Sequence, residues 1–109
     1  MGKIDFKHLI LDKSFTVPVI IEFSAPSCGP CLWMENTLKE VTRELDGKVV
    51  FFSLLIEDYP TQKVKYNIKS NPTTLLFIKG ELKSQLKGAF TKMIIKQWIN
   101  DHSAFPHVD

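Results

Sequence analysis

Ile20-Ile21-Glu22-Phe23-Ser24-Ala25-Pro26-Ser27-Cys28-Gly29-Pro30-Cys31 decides the reading of this chain: an apolar run, a short loop, then the only two cysteines, three residues apart. Upstream, Val17 to Phe23 is β-branched and apolar with Pro18 at its edge, which predicts a strand buried on both faces. Downstream, Met34, Leu38, Val41 and Leu45 recur at helical spacing, Glu35 and Lys39 form a favourable i,i+4 pair, and Gly47 supplies a stop. The cysteines therefore stand where a strand hands over to an amphipathic helix of about four turns.

That context favours dithiol redox chemistry. A thiol at the first turn of a helix meets unpaired backbone N–H groups and the positive end of the macrodipole, so its thiolate is favoured and Cys28 is the candidate nucleophile. Cys31, one turn further on, faces the same side and can resolve a mixed disulfide formed at Cys28. Gly29 admits close approach of a substrate backbone, and Pro30 stiffens the first turn, where its missing N–H costs little. A structural disulfide would more often close a longer loop. A zinc site needs about four ligands, and beyond the thiols only His8, His102 and His107 remain, far from the motif. Gly and Pro between the cysteines make a poor core segment for two inert thiols.

With 109 residues, 44% hydrophobic and 24% charged, the chain reads as one domain, residues 1–109, whose core needs no disulfide staple. No apolar stretch approaches the ~20 residues of a membrane span and the start lacks a secretory pattern, so a cytoplasmic protein without membrane partners is expected. A net charge of +2 is too small to argue for nucleic acid. Residues 60–100 nevertheless hold eight lysines and one acid, Glu81, either as solvated faces or to steer acidic partners.

Phe6, Leu9 and Ile10 suggest a short first helix. Val49 to Ile56 reads as a second buried strand, reached from the first by a right-handed parallel crossover. A short helix over 60–66 is opened by Asp58 and Pro60. Thr73 to Ile78 is a strand, Lys79-Gly80 a hairpin turn, and Glu81 to Lys87 an edge strand with Leu82, Ser84 and Leu86 on one face and lysines on the other. Thr91 can cap a last helix with Ile94, Ile95, Trp98 and Ile99 on its apolar face, and Phe105 to Asp109 should fray. The expected fold class is α/β, a central mixed β-sheet flanked by helices on both faces.

This arrangement, with Cys28-Gly29-Pro30-Cys31 at the strand-to-helix turn, resembles the thioredoxin family over residues ~4 to 102. Asn71-Pro72-Thr73, Lys79-Gly80-Glu81 and Gly88 add to the likeness. The resemblance implies a thiol–disulfide oxidoreductase that reduces protein disulfides as a monomer, without a cofactor beyond the Cys28–Cys31 disulfide, and draws electrons from a thioredoxin reductase or an equivalent donor. It also implies a cis peptide before Pro72, against the dithiol, leaving the Asn71 backbone to pair with an extended substrate; a trans proline opening a strand is the alternative. An isomerase, an oxidase or a non-enzymatic binding module on the same fold are the competing functions.

Several residues depart from the commonest family pattern. Ser24 and Ser27 replace aromatic groups, Asn36 replaces a helix-kinking proline, and Ser53 stands where a lysine is usual. Glu22 replaces the buried aspartate. In an apolar strand its carboxyl should be hard to ionise, which suits it to take the Cys31 proton through water unless the side chain snorkels to solvent. Trp33, beside the motif, is a rim or core aromatic, or else a substrate contact. No histidine lies between the cysteines to stabilise the thiolate, so the reduced form should be less favoured and the pair a reductant.

Overall fold

The computed structural model describes residues 5–102. Four strands, β1 (Val19–Ser24), β2 (Val50–Leu55), β3 (Thr73–Ile78) and β4 (Glu81–Lys87), form a mixed sheet in the order β2-β1-β3-β4. The helices are α1 (Gly29–Leu45), α2 (Pro60–Lys65) and α3 (Lys92–His102). β2 runs parallel to β1 across the α1 crossover, whereas β3 is antiparallel to both β1 and β4. The two inner strands, β1 and β3, are buried along all but their last residue, and apart from Glu22 and the Thr73-Thr74 start their buried positions are apolar, as burial on both faces requires.

β2 corrects one expectation. Its apolar run matches the inner strands, yet it lies at the sheet edge, with Ser53 exposed and Leu55 40% accessible. A short apolar run does not report how many neighbours a strand has.

Alternation along β1 divides the core. Ile20 packs with Met34, Leu38, Val41, Leu45, Ile95 and Ile99 beneath α1 and α3. Val19, Ile21 and Phe23 point to the other face. There a π-helical turn, Phe6–Leu11, and the segment around Tyr59, Tyr66 and Ile68 cover the sheet. Phe6 sits at the centre of an aromatic cluster, edge-on to Phe77 at 5.7 Å and stacked on Phe23 at 6.4 Å. α2 itself buries no side chain, and Asp58 lies in a preceding 3-10 turn, so Tyr59 is the N-cap and its side chain does not cap the helix.

The β3–β4 hairpin turns on Lys79 and Gly80, both at positive φ (52° and 81°) as a two-residue turn demands. A bulge then breaks the alternation. Leu76 pairs with Ser84 but Phe77 pairs with Leu82, so Lys83 is the extra residue. Leu82 therefore joins the Phe6 side while Leu86 joins the α1–α3 side, correcting the expectation that Leu82, Ser84 and Leu86 share a face. Ser84 still faces α3, accepting a 2.8 Å bond from Trp98 Nε1. Thr91 caps α3 as expected, its hydroxyl accepting from the Ile94 N–H at 3.4 Å, but Ile94 itself is 47% exposed and only Ile95, Trp98 and Ile99 are buried. The fraying expected over 105–109 falls outside the described residues.

Candidate functional site

Cys28 is the N-cap of α1, with extended backbone (φ −108°), and its Sγ accepts the Cys31 N–H at 3.2 Å. That N–H is one of the helix's unpaired donors, so the backbone aims a partial positive charge at the Cys28 sulfur. Pro30 falls in the first turn, where no donor is missed. Cys28 and Cys31 are joined by a disulfide, their Cα atoms 5.3 Å apart. The two sulfurs are not equivalent. Cys28 is half-buried at the rim and Cys31 is only 3% accessible.

A cavity of about 390 Å³ opens beside the disulfide, walled by Ser24, Ala25 and Ser27 of the loop and by Leu32 and Glu35 of α1. Ser27 holds a left-handed conformation, φ 59°, which an L-residue adopts at a cost and which re-aims the chain into the N-cap. Gly29 also lines the cavity, without a Cβ to narrow it. Trp33 does not. It is 49% exposed on the neighbouring surface of α1.

The Asn71–Pro72 peptide is cis. Asn71 is exposed and Pro72 buried, and Thr73, next in the chain, pairs with Phe23 of β1. Pro72 thus stands at the sheet end from which β1 leads into the dithiol loop, though it is not part of the cavity wall.

Glu22 lies beneath α1. It shares the β1 face of Ile20, is wholly inaccessible, and is flanked in register by Ser53 on β2 and Thr74 on β3. Ser53 Oγ donates to Oε1 at 3.5 Å, while Oε2 and the Thr74 hydroxyl, its cross-strand neighbour, have no hydrogen-bond partner among the described residues. Burial, with the Glu35 charge second, pushes the Glu22 carboxyl from 4.5 up to about 8 against the weak opposing bond from Ser53. It does not snorkel.

The thioredoxin family model matches residues 2–101. The chain belongs to the thioredoxin family. It is 36% identical over 95 residues to a thioredoxin of Rickettsia conorii, covering 87% of this chain and 89% of that protein. It is 33% identical over 100 residues to a thioredoxin of Rickettsia bellii, covering 85% of this chain and 95% of that one. Against the chloroplastic M-type thioredoxin of Brassica napus it is 40% identical over 75 residues, which are 69% of this chain and 42% of the plant protein. This chain spans about half or less of the first two plant relatives.

As a thioredoxin-family thiol–disulfide oxidoreductase, the chain carries its chemistry in the Cys28–Cys31 disulfide. Among the described residues no helix is long and apolar enough to cross a membrane. The sequence reading placed Cys28, Gly29, Cys31 and Glu22 in this neighbourhood but missed Leu32, Glu35 and Thr74. Leu32 and Glu35 were within reach, because positions four and seven after Cys28 share its helix face. Thr74 was reachable only through the β1–β3 register.

Proposed function

We propose that this chain reduces protein disulfides, with Cys28 attacking and Cys31 resolving. The carrying observation is the asymmetry of the sulfurs: one at the rim with a helix donor aimed at it, the other almost wholly buried. The Cys28 thiolate attacks one sulfur of the substrate disulfide and expels the other as a thiolate. Cys31 then attacks Cys28 Sγ, releasing the second substrate thiol and closing the internal disulfide, so two electrons pass from protein to substrate. Gly29, Pro30 and the backbone around Asn71 and Pro72 line the approach for an extended substrate chain, with Trp33 at the margin. Glu22, reached through water, takes the Cys31 proton in the second step. An external donor such as a thioredoxin reductase restores the dithiol, in a cytoplasmic, monomeric protein with no other cofactor.

Insulin-type disulfide reduction tests this. Cys28→Ser abolishes turnover, and Cys31→Ser accumulates mixed disulfides at Cys28. Full turnover by Cys31→Ser would refute the two-step scheme.

A further inference from the structure

Among the described residues the cavity beside the dithiol has one charged residue in its wall, Glu35. Cys28, Leu32 and Glu35 follow one face of α1, and seven residues place the Glu35 backbone about 10 Å along the axis from the N-cap, with its side chain leaning back toward the cysteines. The carboxylate is held from outside by Lys39, which reaches Oε2 at 3.2 Å and is 58% exposed. Such an exposed i,i+4 pair is weak and screened by salt. A second acid, the buried Glu22, is close enough to Glu35 to feel its charge. Among the described residues that line this hollow the Glu35 carboxylate is the one side-chain charge, and none is a cation.

We infer that Glu35 makes the enzyme prefer disulfides in which a lysine or arginine stands next to the attacked cysteine, an inference that rests on the reading of Cys28 as the attacking thiol. In-line attack fixes the substrate sulfur at the Cys28 rim. An extended substrate advances about 3.3 Å per residue, so a flanking side chain is presented over the cavity and a long one spans the remaining distance to Glu35. Leu32, 61% exposed, and Ala25 offer apolar surface to the methylene stem, and the carboxylate receives the cation. A flanking acid instead meets like charge, without a cationic side chain among the described lining residues to compensate.

The test uses two cyclic peptide disulfides that differ only in Lys or Glu beside the cysteine. Each is reduced by the prereduced 109-residue chain, and each rate is divided by that with dithiothreitol, so that intrinsic reactivity cancels. The Lys peptide is expected to react about fivefold faster at low salt, falling toward parity at molar salt as the charges are screened. Glu35→Gln should bring the ratio near one and Glu35→Lys should invert it. Equal normalised rates with the natural protein, or a ratio unmoved by Glu35→Gln, would overturn the inference while leaving the reductase reading intact. Failure to reduce either peptide would overturn that reading and the inference with it.

Discussion

Replacing Glu22 by glutamine should abolish a pH dependence of stability that the natural protein carries. The folded carboxyl holds its proton up to about pH 8, whereas an exposed one gives it up around 4.5. Between those two values the folded chain binds the extra proton, so stability is fully present below pH 4.5 and falls as pH rises toward 8. The slope is about 1.4 kcal/mol per pH unit, which amounts to about 3 kcal/mol lost by pH 7 and about 5 kcal/mol by pH 8. Ser53 offsets little of this, because its bond to Oε1 is 3.5 Å long and leaves Oε2 unpaired. Glutamine keeps the shape of the side chain and does not titrate, so the remaining groups contribute alike to both proteins. Urea unfolding of the oxidised forms at intervals from pH 4.5 to 8 measures the difference. The natural protein should lose stability relative to Glu22→Gln by several kcal/mol across the window. Parallel profiles would show that Glu22 titrates alike in the folded and unfolded states, and would remove the argument that its burial governs its protonation.

Two further substitutions probe the same sheet. Thr74→Val removes a buried hydroxyl that has no partner and keeps the branched shape, so it should stabilise by about 1 kcal/mol in denaturant melts; a loss of similar size would show that the hydroxyl is satisfied in solution. Gly80→Ala should cost about 1 kcal/mol through its positive φ of 81°. A new Cβ would also meet Phe15 at 2.6 Å, but through the far end of a ring that is 65% exposed and free to swing. Phe15→Ala therefore should not recover the loss in a double-mutant cycle, and a full recovery would mean that the clash decides.

The sequence made the central strand, the crossover helix and the dithiol legible because each rests on a local rule: a continuous apolar run, a 3.6-residue period, a thiol at a helix start. What escaped it depends on the third dimension. Leu82 changes face because one residue, Lys83, is accommodated in a bulge, and a period-two reading has no means of placing that insertion. β2 reads like β1 and becomes an edge because nothing in its own residues records that the next strand pairs on the far side of β1. At the site, Ser27 conceals its left-handed backbone, since serine has no special freedom there and only the closure of the loop onto α1 demands it. The Glu22–Thr74 neighbourhood likewise exists only once β3 is laid antiparallel to β1 in this register.

Glu22 is where local and global demands part. An aliphatic side chain would fill that position of β1 without a desolvation penalty, and domains of this kind hold only about 5–15 kcal/mol in total. A penalty of about 3 kcal/mol at pH 7 is a large fraction of that. Conflicts of this size are expected where function overrides packing, and this one lies close enough to Glu35 of α1, in the wall beside the dithiol, to feel its charge. The protonation state gives the conflict a use. At neutral pH the buried carboxyl is largely uncharged, and in the proposed mechanism its ionised fraction takes the Cys31 proton when the mixed disulfide is resolved. An acid held near 4.5 would be ionised throughout and would set a second negative charge close to that of Glu35; an alkyl group would leave the resolving thiol without the acceptor that the proposed mechanism assigns to it.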